Sequence, residues 1–443
     1  MEMTDKHLLS QMLGIHEPWA IKSVKLDVPG RKLEVEVECR QDHWADEEGR
    51  RLPIHGYGMR SWRHLDAFEF ETVITGRVPR VRYPARDAGA GKADRETGPD
   101  HEGGDDDDED DDGGSAAGGR TMLVKVPWAE PHSRFTALFE RFAVEVMGAC
   151  RTVTEAARLL RISWDQAQRI MERAVARGLA RRQDVVIPHI GIDEKSFGKG
   201  QDYATVVLDP ARECVHDLGP GRTAEATVDL LERCLPDPEI RLQVSAAVME
   251  MSAAFAAAVR QTLPSAVIVY DRFHVSKLLN TAVDQVRRAE HGRLSAGGDS
   301  RLKNIPCHWL TGPENLEPQK LEELKALFAR NAVVARAWTD RENFASFWDC
   351  STEEEAMAFF KVWERKVNRR KGLQPMKKVA ATLRRHLGGL INYITHPLTN
   401  GLAEGINSLI AVLKGAARGL RNFSNFRVRV LFFLGKLDML PAV

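Results

Sequence analysis

The sequence predicts an α/β fold, and three observations carry that prediction. Residues Val244 to Val275 read as strand, helix, strand. Three short strand-like runs precede them between 185 and 217. The chain from 276 to 395 has helical spacing throughout, with no convincing strand. In the first of these stretches, Leu242 to Met249 is a short apolar run, and Phe255, Ala256, Val259 and Leu263 recur at helical spacing. Ala266 to Tyr270 is a β-branched run too short for a helix. Two strands joined by one such helix are most simply parallel, with a right-handed crossover. Parallel strands end on one edge of the sheet, where α/β proteins place their sites. Each of these strands ends in an acid, Glu250 after the first and Asp271 after the second.

The 443-residue chain is long enough for roughly two to four domains, and at 43% apolar and 28% charged it has a globular composition. Its net charge of zero averages unlike parts. Residues 86–120 hold four Lys/Arg against thirteen Asp/Glu, whereas Lys361 to Val443 holds sixteen Lys/Arg against three Asp/Glu. The basic C-terminal block points to a polyanionic partner. The six cysteines are scattered without a CxxC pair, which fits a reducing compartment. No signal-peptide core and no run of membrane-spanning length is present, so a cytoplasmic protein without a membrane partner is expected.

Taken in order, residues 1–85 form a β-rich module. SVKLDVPGRKLEVEVECR alternates around a Pro-Gly turn, and FEFETVITGRVPRVRYP is a second β-like piece, with YGMRSWRHLD between them. So small a module should have little core of its own. It offers only Cys39, His43 and His55 where a zinc ribbon needs four ligands, so zinc is not expected. Residues 86–120, with eight consecutive acids from Asp105 to Asp112, read as a disordered linker. Residues 121–184 hold a helix from Phe135 to Met147, a short helix from Thr154 to Leu160, a turn, and a helix capped by Ser163 through about Ala176. That is a helix-turn-helix pattern, whose second helix would present Trp164, Gln166, Arg169 and Arg173 to DNA. Residues 185–280 give strands at Val185 to Ile192, Tyr203 to Leu208 and Glu213 to Asp217, a helix from Thr223 to Cys234, and then the opening strand–helix–strand. A hairpin-linked triplet followed by parallel strands is the plan of a ribonuclease H-like (retroviral integrase-type) core. In that plan the fourth strand lies beside the first, which sets Asp193 next to Glu250. Residues 281–395 are an all-α insertion. Residues 396–443 return to the core, with Glu404 in the first turn of a helix and Asn407 three residues on, on the same face.

Carboxylates distant in sequence can converge to hold two Mg²⁺ ions, which take oxygen ligands and serve phosphoryl transfer. Asp193, Glu250 or Asp271, and Glu404 suit that role by position, although each alone could be an exposed strand-end or capping acid. The words VPWAEPHSRFT, ISWDQAQRIMER, IGIDEKSFGKGQDYATVVLD, LPSAVIVYDRFHVSKLLNTAVDQVRRAE and THPLTNGLAEGINSLIAVLKGAARGLRNF extend the argument. From about Val126 to Leu437 the chain resembles the ISL-three family of insertion-sequence transposases, which carry a DDE catalytic triad. The resemblance implies a zinc-binding N-terminal module, a helix-turn-helix, and a ribonuclease H-like core split by a helical insertion. It also implies Mg²⁺ (with Mn²⁺ as substitute) and double-stranded DNA partners, namely the terminal inverted repeats and the target, with the chain working as a homo-oligomer on the bacterial nucleoid. Carried over, Asp193 and Glu404 match the first and third catalytic acids. Asp271 and His274 fall in the DRFH word beside the site, and Arg418 and Arg421 form a basic loop for the DNA backbone.

The chain departs from the family pattern twice. The paired cysteines of the zinc module are missing, which makes residues 1–85 a degenerate zinc ribbon. Glu250-Met251 stands where the family has Asp-Met, so the second acid is a glutamate. The extra methylene moves that carboxylate by roughly 1 Å, a displacement that can cost on the order of 100-fold in rate. Two functions follow: a DNA transposase that cleaves and joins strands at terminal inverted repeats, or a transposase-derived DNA-binding protein with weak or lost catalysis.

Overall fold

The computed structural model describes residues 5–45, 51–82, 121–182, 186–197, 202–297, 332–417 and 422–442, with isolated positions between 317 and 326. The expected acidic linker lies outside the described residues, as do Arg418 and Arg421. The chain divides into two units, Met1–Ile170 with Leu440–Val443, and Met171–Met439.

In the first unit α1 (Asp5–Met12) leads into β1 (Trp19–Asp27) and β2 (Lys32–Cys39), an antiparallel hairpin. Its turn is closed by the Asp27 carboxylate, which accepts from the Gly30 N–H. β3 (His43–Ala45), β4 (Arg51–Arg63), β5 (Glu71–Arg82) and β6 (Thr121–Leu123) complete a six-stranded sheet of order β1-β2-β5-β4-β3, with β6 also on β5. YGMRSWRHLD, passed over in the sequence as a strand, supplies most of the thirteen-residue β4. Glycines at 56 and 58 weaken its local β signal, and pairing with β5 overrides it. The expectation of little core is also corrected. Trp128 meets Trp19 and Trp62 edge to face at 5.0 and 5.4 Å, over a buried floor that includes Val35, Val37, Ile74 and Val81. That core closes because β6, Val124 and Trp128, which follow residue 120 in the chain, belong to the same sheet and cluster.

Three helices follow: α2 (Ala137–Ala149), α3 (Val153–Leu160) and α4 (Trp164–Ala180). Thr136 and Thr152 cap the first two. At the turn Arg161 takes a left-handed φ of 55°, and the Ile162 N–H bonds back to Ala157 O, ending α3. α4 opens on a reciprocal pair in which the Gln166 N–H donates to Ser163 Oγ and the Ser163 N–H to Gln166 Oε1. It runs one turn past the expected end, and the division between the units falls inside it.

The second unit is built on β7 (His189–Ser196), β8 (Tyr203–Asp209) and β9 (Cys214–Pro220), then α5 (Ala224–Cys234), α6 (Pro238–Leu242), β10 (Ala246–Met249), α7 (Ala253–Thr262), β11 (Val267–Tyr270) and α8 (Arg272–Ala296). The sheet order is β11-β10-β7-β8-β9, with β7, β10 and β11 parallel and β7, β8 and β9 antiparallel. The fourth strand therefore does lie beside the first. Two boundaries move. β7 starts later than expected and runs past Asp193 to Ser196, because β8 pairs with it to that point. Leu242 closes a short helix instead of opening β10, since Asp237 caps a helix with Pro238 in its first turn.

The described remainder is helical: α9 (Ala332–Ala345), α10 (Glu353–Arg369), α11 (Gln374–Arg385), α12 (Leu387–Thr395), α13 (Gly401–Ala416) and α14 (Phe423–Leu434). α8 joins these helices to the sheet, since Leu279, Val283 and Val286 share one buried cluster with Ile192, Met249, Phe344 and Leu383. No helix among the described residues is long and apolar enough to cross a membrane.

Each unit buries a histidine that must stay neutral. His64 bonds Thr136 Oγ1 at 2.9 Å beside Arg63, and His216 bonds Cys234 O at 3.1 Å; burial pulls both down to about 4. Their folded pKa lies below the unfolded value near 6.5. Each therefore contributes full stability above pH 6.5 and loses it as the pH falls toward 4, at a cost of about 3 kcal/mol per site. Urea unfolding from pH 7.5 to 4.5 should show this fall, shallower in His64→Gln and His216→Gln. An unchanged slope in both variants would remove these histidines as the cause.

Candidate active site

The site begins with strand register. Ile192 pairs with Met249, and Met249 with Tyr270, all in parallel. The next residue on each strand is an acid, so Asp193, Glu250 and Asp271 form one row across three neighbouring strands. Side chains alternate along a strand. Ile192, Met249 and Tyr270 enter the main core, while Val248 and Val269 pack with Tyr393 on the opposite face, the face to which the acids belong.

The three acids have different surroundings. Asp193 is buried; its Oδ1 accepts from the Glu194 N–H at 2.9 Å and its Oδ2 from Asn407 Nδ2 at 2.6 Å. Burial pushes its carboxyl above the usual range despite those donors. Glu250 is raised as well, first by burial and then by Glu194 and Asp193, against the opposing charges of His274 and Lys277. Asp271 is committed to structure. It caps α8 by accepting from the Phe273 N–H, its own N–H donates to Met249 O, and its Oδ2 lies 3.3 Å from His274 Nδ1. That bond raises His274 above its ordinary value and turns Nε2 toward Glu250, 3.8 Å away. Of the two acids that the opening stretch offered, Glu250 is the one with capacity to spare.

Helix α13 brings the last strip of chain to this row. Asn400 is buried over β7, its Nδ2 reaching Ile192 O at 3.5 Å, and a Cβ on Gly191 would sit 2.8 Å from Asn400 Oδ1. Glycine at 191 leaves room for the Asn400 side chain against β7. Lys195 Nζ donates to Asn407 O and Lys414 Nζ to Ser196 O, at 2.9 and 3.2 Å. Lys195, Lys414, Gly191 and Asn400 were not foreseen. Nothing marks them in the sequence except nearness to a predicted acid. Glu194 was also passed over; it pairs with Arg222 at 3.2 Å, and Arg222 lies over the Tyr203 ring.

Glu404 is exposed, one turn before Asn407 on α13. Among the described residues no three His, Cys, Asp or Glu side chains gather as a group able to hold a metal ion. The donors at the row nevertheless fit a hard cation. Asp193 is a carboxylate penalised by burial and by Asp271, Glu250 one penalised by burial and by Glu194 and Asp193, and Asn407 Oδ1 is buried with no hydrogen-bond partner among the described residues.

Of the residues expected to face DNA, Trp164 and Arg169 are exposed on α4 and Arg173 is half-buried. Gln166 is tied into the cap by its Oε1.

Residues 190–430 match a family model described as a transposase of the ISL3 type, and residues 124–175 match the helix-turn-helix domain of transposase family ISL3. The chain is 24% identical over 435 residues to the transposase for insertion sequence element IS1001 of Bordetella parapertussis, covering 97% of this chain and 98% of that protein. It is 25% identical over 400 residues to the transposase for insertion sequence element IS1557 of Mycobacterium tuberculosis, covering 83% and 80%.

The contact between Gly191 and Asn400 can be tested directly. Gly191→Ala should destabilise the protein by about 1–3 kcal/mol through overpacking. Asn400→Ala in the same chain should return part of that loss, because it removes the first atom struck. Additive losses in a thermal-unfolding double-mutant cycle would disprove the coupling.

Proposed function

The chain belongs to the ISL3 family of insertion-sequence transposases, a family whose helix-turn-helix implies DNA binding and transposition, and we propose that its second unit cleaves and joins DNA strands at the acid row. The observation that carries this reading is the register that sets Asp193 beside Glu250 on adjacent parallel strands, with Asn407 of α13 docked on Asp193. The sheet order is the one a ribonuclease H-like core requires, and its central strand bears the first acid.

In this reading Asp193, Glu250 and Glu404 would hold two Mg²⁺ ions, or Mn²⁺ in their place, and the unpartnered Asn407 Oδ1 would be available as a neutral oxygen. Bound there, the ions supply Lewis acidity to the attacking and leaving oxygens of phosphoryl transfer. The protein's own groups do the rest. Asn407 holds Asp193 in one rotamer through its Oδ2. Asp271 fixes His274, which sets a positive charge against Glu250 when protonated. The first reaction is attack by water on a phosphodiester at the element's terminal inverted repeat, breaking the P–O3′ bond and freeing a 3′-hydroxyl. In the second, that hydroxyl attacks a target phosphodiester, forming one P–O bond as another breaks. Trp164, Gln166, Arg169 and Arg173 on α4, together with Arg418 and Arg421, bind the duplex, and a homo-oligomer pairs the two element ends. The protein works in the cytoplasm, on the nucleoid.

The exposed position of Glu404 and the glutamate at position 250 favour a second reading, a transposase-derived DNA-binding protein with weak or lost catalysis. Nick detection on paired terminal-repeat DNA with Mg²⁺ or Mn²⁺ separates the two. Cleavage should vanish in Asp193→Ala and Glu404→Ala, and Glu250→Asp should raise it by up to about 100-fold. Specific binding with no cleavage in either the wild type or Glu250→Asp would establish the second reading. Binding should also weaken steeply with salt.

A further inference from the structure

Beside the acid row, α8 carries a feature that strand cleavage does not use. Phe273 follows the capping Asp271 by two residues and is 49% exposed, on a helix whose Val275, Leu279 and Val283 are buried. Its ring stands nearly perpendicular to the His274 ring, with centroids 6.0 Å apart. Phe273, Ser276, Lys277, Asn280 and Thr281 recur at helical spacing along one side of α8 and line a cavity of about 420 Å³ that ends at Arg288. The polar groups along it are mostly engaged. Asn280 Oδ1 accepts from Arg341, Thr281 Oγ1 donates to Lys277 O, and Asp284 is paired with Arg287 and Arg288. The groove therefore presents a half-exposed aromatic ring and a lysine whose charge is felt at Glu250.

An exposed aromatic ring one helical turn from a cation, on the helix that Asp271 of the acid row caps, matches the repeat of a single nucleotide. The base takes the ring and the phosphate takes the ammonium. A paired duplex keeps its base faces stacked inside and cannot use the ring. A copy of this chain is a poorer occupant, since the groove combines one exposed ring with a polar, cationic floor.

We propose that this groove holds an unpaired nucleotide of the DNA end, its base stacked on Phe273 and its phosphate at Lys277. The proposal rests on reading the acid row as the place where DNA strands are cleaved. It adds that the end is frayed in the site, so that a single-stranded or mispaired terminus binds better than a blunt one.

The test uses the full chain without divalent metal and a short duplex of arbitrary sequence whose single-stranded 3′ overhang ends in 2-aminopurine. Stacking quenches that base's fluorescence. Wild type should quench it and bind the overhang duplex more tightly than a blunt control. Phe273→Ala should lose the quench and weaken overhang binding about tenfold, with blunt-end binding unchanged. Phe273→Trp should restore both, and Lys277→Gln should weaken binding while keeping the quench. An unaltered quench and overhang preference in Phe273→Ala would overturn the proposal, as would a change of oligomeric state in that variant with the quench intact. Cleavage is measured separately, with Mg²⁺. Quenching through Phe273 without cleavage would sink the catalytic reading alone, whereas cleavage with no role for Phe273 in the quench would sink this inference alone.

Discussion

Parallel pairing in register among β7, β10 and β11 is the constraint on which the second unit depends. It sets Asp193, Glu250 and Asp271 side by side at one sheet edge, on the face opposite the main core. Three carboxylates in a partly desolvated row repel one another, and burial adds to the penalty, so each needs compensation. The protein gives each a different kind. Asp193 receives a backbone N–H and an amide, Asp271 receives a helix N-terminus and an imidazole, and Glu250 receives the more distant charges of His274, Lys277 and Arg222. The acid with the least support from the protein has the most to gain from a cation.

The same row explains the attachment of α13. In the proposed site this helix must reach the sheet edge without filling it. Here it is held at points flanking the acids: Asn400 over Gly191, Lys195 on the Asn407 carbonyl, and Lys414 on the Ser196 carbonyl. Two of these ties run from lysine to backbone carbonyls, so they add positive charge near the carboxylates without consuming a carboxylate oxygen. The helix is thereby fixed through Asn407, while Glu404, a turn earlier, remains exposed.

Much of this was legible in the sequence because it rests on local patterns. The strand-helix-strand around Glu250, the serine cap at Ser163, and the adjacency of the first and fourth strands follow from short apolar runs, breakers and chain order. The first unit was read less well for a physical reason. Its core depends on Trp128 meeting Trp19 and Trp62 from beyond residue 120, and β4 depends on its partner β5 despite two glycines. Long-range pairing of that kind leaves little local trace. The site divides in the same way. Register and an acid after each strand could be inferred, but the closeness of Asn400 to Gly191 and of Arg222 to Glu194 could not, because neither pair has a spacing that marks it.

Glu250 can now be weighed by what surrounds it. From the strand pattern alone it and Asp271 are equivalent acids at the ends of parallel strands, and only the family resemblance ranks Glu250 as the second acid. In the fold Asp271 is 2% exposed and spends its oxygens on the Phe273 N–H and on His274, so drawing it into a metal site would uncap α8 and release the imidazole. Glu250 carries no such duty. Its backbone follows directly on the Met249 pairing, which fixes its Cα in the row, and its longer side chain extends toward His274. A glutamate at this point is therefore anchored as an aspartate would be, and its added methylene displaces only the carboxylate. That places any loss of activity in the reach of one side chain and leaves the architecture of the edge intact.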